Sequence, residues 1–184
     1  PPPRPARRRG PPVVVVGSDL RPGLASRLAP RRATAVAAAF PDSPLPRAHL
    51  TGAPIRPEII AVDRRRDRDA ARHALGLPLD RFVVTVFGGS LGAKAINEAV
   101  AGMVAAWSDR SDVYVHHVVG DRWLADAPAP RPGPAGIMYD VIGYEDRMPQ
   151  LYAAGDLMIT RAGASTIAEL AATYAEMSDV LTFF

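Results

Sequence analysis

The strongest constraint on the fold is one stretch, Phe82 to Trp107. Phe82-Val83-Val84-Thr85-Val86-Phe87 is a run of β-branched and aromatic residues with no helical period, and it reads as a buried strand. Gly88-Gly89-Ser90-Leu91-Gly92 closes it with a glycine-rich turn. From Ala93 to Trp107, the apolar residues Ile96, Val100, Met103 and Val104 recur at helical spacing. A buried strand that turns through glycines into an amphipathic helix opens a βαβ unit, and a parallel sheet gives that helix a face to cover.

The same rhythm recurs on both sides. Downstream, Val113 to Val119 reads as a strand and Asp126 to Pro134 as a proline-rich loop. Ile137 to Ile142 is a strand, Met148 to Ala154 a short helix, Leu157 to Thr160 a strand, and Thr166 to Ala175 a helix; Val180 to Phe184 is a weaker strand. Upstream, Val13 to Val16 closed by Gly17 reads as a buried strand, Leu24 to Arg32 as an amphipathic run, and Thr34 to Phe40 as a second buried strand stopped by Pro41-Asp42-Ser43-Pro44. His49-Leu50-Thr51 adds a short strand. Pro54 and Pro57 restrict the backbone around Arg56, as a hinge or crossover would. Arg64 to Leu75 reads as a charged helix with Ala71 and Leu75 inward and Arg64 to Arg72 as its solvated face; Gly76 and Pro78 end it. No fixed-period repeat is present. Alternating strands and helices predict the α/β class with parallel, doubly wound, Rossmann-like sheets.

Charge sharpens the reading when it is located. The chain has 22 basic and 19 acidic residues, and Arg4, Arg7, Arg8 and Arg9 account for the excess, leaving the rest close to neutral. A nucleic-acid footprint needs basic residues clustered on a folded face, so no nucleic-acid partner is expected. Residues 1–12, rich in Pro and Arg, read as a disordered tail. The chain has no Cys, which excludes disulfide frameworks, thiol nucleophiles and Cys-based zinc sites. His49, His73, His116 and His117 show no metal-ligand spacing; the last two, adjacent on a strand, point to opposite faces and read as structural. No metal or cofactor is expected.

Two loops carry the candidate chemistry. In the first, a turn between strand and helix presents backbone N–H groups and a helix N-terminus to an anion, and glycine permits close approach, so a diphosphate fits at Gly89, Ser90 and Gly92. The competing reading is a tight connection without ligand. Neither a Walker loop nor the GxGxxG fingerprint is present: counted from Gly88, Ala93 and Ala95 stand where the Walker glycine and hydroxyl belong. The second loop, Arg161-Ala162-Gly163-Ala164-Ser165-Thr166-Ile167-Ala168-Glu169, also follows a strand and opens a helix. There Glu169 reads either as half of a capping box with Thr166 or as an acceptor for sugar hydroxyls. Arg56, stiffened by flanking prolines, suits a phosphate pair, against the ordinary reading of a solvated Arg. Glu145-Asp146 reads as a turn and helix start.

Together these stretches acquire a resemblance. Val86-Phe87-Gly88-Gly89-Ser90-Leu91-Gly92-Ala93-Lys94-Ala95-Ile96-Asn97, Tyr144-Glu145-Asp146-Arg147-Met148, Tyr152-Ala153-Ala154-Gly155-Asp156 and Arg161 through Glu169 resemble, in order and spacing, the MurG-type N-acetylglucosaminyltransferases of peptidoglycan synthesis. Pro22 to Leu28, Ala39-Phe40-Pro41 and Thr51 to Ile59 are similar to the same family, so the likeness runs from about Val13 to Ala172. It implies a GT-B arrangement incomplete at both ends: residues 13–56 from the end of an acceptor-side domain, and residues 57–184 from a truncated UDP-sugar donor domain. It implies transfer of N-acetylglucosamine from UDP-N-acetylglucosamine to undecaprenyl-linked lipid I, giving lipid II with inversion. By that resemblance Arg56 and Ser90, with the amides of Gly89 and Gly92, hold the diphosphate. Backbone near Tyr144, Glu145 and Asp146 reads the uracil, Ala164, Ser165 and Thr166 lie by the diphosphate and sugar, and Glu169 takes the ribose hydroxyls. Positive groups at the diphosphate would stabilise departing UDP without a metal. It further implies a cytoplasmic enzyme, peripheral at the inner membrane face.

Departures from the pattern are equally specific. The family's opening His-bearing glycine loop does not precede Val13, Gly17-Ser18-Asp19 stand where the family has Glu-Gln-Asn, Ala53 replaces a usual Asn, and Tyr174 to Phe184 does not resemble the family's Gln-containing segment. No catalytic residue is identified, and the expectation for this chain alone is weak UDP binding without turnover. Two alternatives stand beside the main reading: a related GT-B enzyme with another lipid or sugar acceptor, and a non-catalytic UDP-sugar-binding module.

Overall fold

The computed structural model describes residues 11–131, 133, 135–174 and 180–183. Most of the basic tail, up to residue 10, and Ala175 lie outside the described residues. The chain divides into two compact units, Pro1–Pro54 and Ile55–Phe184. The division falls two residues before the expected one, so Arg56 belongs to the second unit.

In the first unit, β1 (Val14–Gly17), β2 (Ala35–Ala38) and β3 (Ala48–Leu50) form a parallel sheet in that order, with α1 (Leu24–Leu28) between β1 and β2. Its core is small: Ala33, Val36 and Leu45, with the Leu45 side chain packed where Gly17 lacks one. The expected burial of Val13 to Val16 is not what the structure shows. Val14 is 61% and Val16 49% exposed, because β1 is an edge strand and α1 buries none of its residues. A β-branched run makes a strand; burial needs something packed on both faces.

The second unit holds α2 (Pro57–Ile60), α3 (Arg64–Leu75), β4 (Phe82–Phe87), α4 (Lys94–Ala106), β5 (Val113–Val118), β6 (Met138–Ile142), α5 (Met148–Ala154), β7 (Leu157–Arg161), α6 (Ala164–Thr173) and β8 (Val180–Phe183). A 3₁₀ stretch, Asp121–Asp126, follows β5. All strand pairs are parallel, in the order β6-β5-β4-β7-β8. The chain starts in the middle, winds out one way through β5 and β6, then returns to build β7 and β8 on the other side of β4. This reversal is the topological switch point of a doubly wound sheet. The strand that reads weakest from sequence thus occupies the second edge among the described residues, as β8; Phe184, the last residue of that reading, lies outside them.

Alternation along the strands feeds the two faces. Val84, Val86, Val113, Val115 and Tyr139 pack with Ile96, Val100 and Val104 of α4. Phe87, Val118 and Met158 turn the other way, toward Ile59, Leu151, Tyr152, Leu170 and Tyr174, while Val83 and Tyr114 meet Ala71, Leu77, Ala153 and Ala154. One helix therefore covers one face; α2, α3, α5 and α6 cover the other.

Helix α3 corrects the reading of Arg64 to Arg72 as a solvated face. Arg72 is fully buried. Its guanidinium bonds the Asp156 carboxylate and donates to the carbonyls of Ala154 (2.9 Å), Pro78 (3.1 Å) and Arg81 (3.0 Å). Asp156 also accepts from the Val83 N–H at 2.8 Å, so a charged pair pins the starts of β4 and β7 together. Burial works to lower the Arg72 pKa, opposed by the bond to Asp156. Arg64 is half-buried, its guanidinium 3.8 Å from the centre of the Tyr174 ring. Asp63 caps the helix through the Arg65 and Arg66 N–H groups, and Gly76 ends it at φ +71°.

Candidate functional site

Phe87 of β4 pairs with Thr160 of β7, so the glycine-rich loop and the short Ala162–Gly163 loop leave from neighbouring strand ends at the switch point. Each leads into a helix without a side-chain cap: Ala93 precedes α4 and Gly163 precedes α6. Uncapped first-turn N–H groups carry partial positive charge, which suits an anion.

The first loop is shaped by backbone. Gly89 has φ +89° and Gly92 φ +68°, and the Gly92 N–H donates to the Gly89 carbonyl at 2.9 Å, closing a turn. Gly92 is buried, and a Cβ there would fall well inside the contact distance of the Val119 carbonyl. Gly120 at φ +90° reciprocates: its Cβ would lie 2.7 Å from the Gly92 nitrogen. The loop is thus pressed against the turn after β5. Its apex, Gly89, Ser90 and Leu91, stays exposed, and a Cβ on Gly89 would meet nothing within 4 Å. Of the two amides expected at a diphosphate, that of Gly92 is turned inward to the loop itself.

The second loop is shaped by side chains. Helix α6 begins at Ala164, so Thr166 sits inside the first turn and the capping box with Glu169 does not form; the cap position is Gly163, set by where β7 ends. Glu169 is held instead by two other groups. The Tyr152 hydroxyl donates to Oε2 at 2.6 Å, and Arg56 Nη2 lies 3.5 Å from Oε1. Arg56, at the start of α2, remains half-exposed and also approaches Glu58 at 4.0 Å. Two expected residues far apart in sequence, Arg56 and Glu169, are therefore in contact. Ser165 is exposed and Ala164 half-buried at the mouth of α6.

Tyr144, Glu145 and Asp146 follow β6 at the same end of the sheet, two strand positions from β4. Tyr144 and Asp146 are exposed, whereas Glu145 is buried and bonded by the Arg147 N–H (2.8 Å) and guanidinium (2.9 Å). Burial works to raise the Glu145 pKa, but the bonds from Arg147 outweigh it and hold the carboxyl below its ordinary value. With its side chain so occupied, Glu145 offers a ligand only backbone.

Sequence reasoning did not find Tyr152 as a site residue, nor a chain of polar groups behind the first loop. Asn97 Nδ2 donates to the Val119 carbonyl at 3.0 Å, which leaves Asn97 Oδ1 to face His117 Nε2 at 3.2 Å, and Tyr139 O–H meets His117 Nδ1 at 3.1 Å. This fixes His117 as the Nε2–H tautomer. Burial, then the neighbouring His116, push its pKa down to about 4. His116 faces the opposite way and pairs with Asp140 at 2.8 Å. A cavity of about 290 Å³ lies beside this chain, lined among others by Lys94, Asn97, His117 and Trp123; none of the expected site residues lines it. Among the described residues no group of three or more His, Asp or Glu could hold a metal ion, and no helix is long and apolar enough to cross a membrane.

Fold and loops together define a Rossmann-like α/β domain whose candidate site lies at the switch point. The chain belongs to glycosyltransferase family 28: the model of that family's C-terminal domain matches residues 83–177. A relative from Nocardioides sp., a UDP-N-acetylglucosamine–N-acetylmuramyl-(pentapeptide) pyrophosphoryl-undecaprenol N-acetylglucosamine transferase, is 45% identical over 90% of this chain and 45% of its own length. A protein of the same description from Streptomyces coelicolor is 39% identical over 91% of this chain and 45% of its own. The crystal structure of Acinetobacter baumannii MurG superposes with a TM-score of 0.58 at 25% identity, covering 89% of this chain and 44% of that one. The chain therefore spans less than half the length of the relatives it matches.

Proposed function

We propose that residues 55–184 form the UDP-sugar donor side of an inverting N-acetylglucosaminyltransferase that transfers N-acetylglucosamine from UDP-N-acetylglucosamine to undecaprenyl-linked lipid I, giving lipid II in peptidoglycan synthesis, and that residues 13–54 come from its acceptor side. The observation that carries this reading is the junction of β4 and β7, which brings a glycine-rich loop with an exposed apex beside a helix mouth whose Glu169 is already paired to Arg56. In this reading Arg56, Ser90 and the Gly89 amide hold the diphosphate, with Gly92 shaping the loop. Ala164, Ser165 and Thr166 flank the diphosphate and sugar, Glu169 accepts from the ribose hydroxyls, and backbone at Tyr144 to Asp146 reads the uracil. Arg56 and the two uncapped helix ends offer positive charge where UDP departs, and charge placed in advance lowers the barrier without reorganisation. The lipid-linked acceptor makes the working enzyme peripheral at the cytoplasmic face of the membrane.

Calorimetric titration with UDP and UDP-N-acetylglucosamine tests the donor half of the proposal. Binding is expected, and Arg56→Ala weakens it by about tenfold, the loss of one charge-assisted contact to phosphate. Unchanged affinity in both Arg56→Ala and Glu169→Gln would contradict it.

A further inference from the structure

We infer that Tyr152 is a positioning residue for the nucleotide's ribose: its hydroxyl fixes the Glu169 carboxylate so that the remaining lone pairs face the site. The inference rests on the reading of Glu169 given above and adds a residue to it. Tyr152 is fully buried on α5 and is fixed on three sides. Its ring meets Phe87 edge-on, with centroids 6.1 Å apart and planes at 77°. Its carbonyl accepts from the Tyr174 hydroxyl at 3.2 Å, and its own hydroxyl donates to Glu169 Oε2 at 2.6 Å. A group so enclosed does not follow its partner; the partner takes its position from the group.

Glu169 needs such a partner. Its side chain keeps 16% exposure, and an unrestrained Glu would lose rotamer freedom each time it met a ligand. A carboxylate offers two acceptor directions on each oxygen. Tyr152 uses one on Oε2, and Arg56 Nη2 lies near Oε1 at 3.5 Å, so both oxygens keep capacity for a pair of adjacent hydroxyls. Burial, and then the bond to Glu169, hold the Tyr152 hydroxyl far above its ordinary pKa, making it a donor at every physiological pH. The same ring touches Phe87, the residue from which the glycine-rich loop departs, so one side chain sets Glu169 relative to the root of the diphosphate loop.

The test compares UDP with its 2′,3′-dideoxy analogue on the full 184-residue chain, because the ratio of the two affinities reads the ribose contact alone. Sites built to bond a hydroxyl discriminate strongly against its absence, so the unaltered chain is expected to prefer UDP by about tenfold or more. Tyr152→Phe, which removes one oxygen and keeps the ring, is expected to reduce that preference at least threefold. Glu169→Gln abolishes it, and the double variant adds nothing to Glu169→Gln alone. If Tyr152→Phe weakens both nucleotides equally, or does not fold although its ring is intact, the hydroxyl is structural and the inference fails. If Glu169→Gln also leaves the ratio unchanged, Glu169 is not the ribose acceptor; and if the unaltered chain binds no UDP, the donor-site reading fails with it.

Discussion

The two loops at the switch point are built by opposite means. The loop after β4 takes its shape from absent side chains: Gly92 and Gly120 interlock so closely that neither tolerates a Cβ, and the exposed apex is left bare. The loop after β7 takes its shape from present ones, with Tyr152 and Arg56 converging on Glu169. A backbone-built loop presents N–H groups and leaves no side chain in an anion's path. A side-chain-built one presents an oriented acceptor, the kind of group a sugar hydroxyl needs. Differences in construction make the two loops respond differently to substitution.

The largest expected effect is at Gly92. Gly92→Ala sets a Cβ against the Val119 carbonyl at φ +68° and is expected to destabilise the second unit by about 4 kcal/mol, measured by urea unfolding. An effect below about 1 kcal/mol would show that the loop is looser than its packing implies. Next comes the polar chain behind this loop. The folded pKa of His117 lies below its unfolded value, so between about pH 4 and 6.5 the unfolded chain binds a proton that the folded one refuses. The contribution is complete above pH 6.5 and is lost as pH falls toward 4, by about 2 to 3 kcal/mol; His117→Gln flattens that part of the stability profile. On the other loop, Tyr152→Phe removes a hydrogen bond to a carboxylate and is expected to lower stability by about 1 to 2 kcal/mol. Smallest is Gly89→Ala, where only the positive φ is penalised, by about 1 kcal/mol. A Gly89→Ala cost matching that of Gly92→Ala would break the division between an exposed apex and a packed base.

The same contrast explains what was legible in the sequence. β4, its glycine turn and α4 were readable because every signal is local: β-branched residues, glycines, then apolar residues at helical spacing. Gly89, Ser90 and Gly92 came with them. The order β6-β5-β4-β7-β8 follows from alternation only as a class, since which side of β4 receives β7 is a tertiary matter. Tyr152 carried no signal beyond that of a core aromatic in a short helix, because its role depends on a carboxylate one helix further on. Thr166 and Glu169 have capping-box spacing, yet the end of β7 places the cap at Gly163 and frees Glu169 for Tyr152. Arg72 reads as one more charge on a charged helix until Asp156 arrives from the start of β7. Val14 and Val16 show the limit from the other direction: their local pattern matches that of β4, but β1 is an edge and they stay exposed.

In the proposed function both loops serve one nucleotide diphosphate. An NMR titration of the isotope-labelled chain with UDP tests it directly, following the backbone amides. Amides from Gly88 to Gly92 and from Ala164 to Glu169 are expected to shift together along a single binding isotherm. Shifts confined to one loop, or centred on Asn97, His117 and Trp123 at the neighbouring cavity, would contradict it.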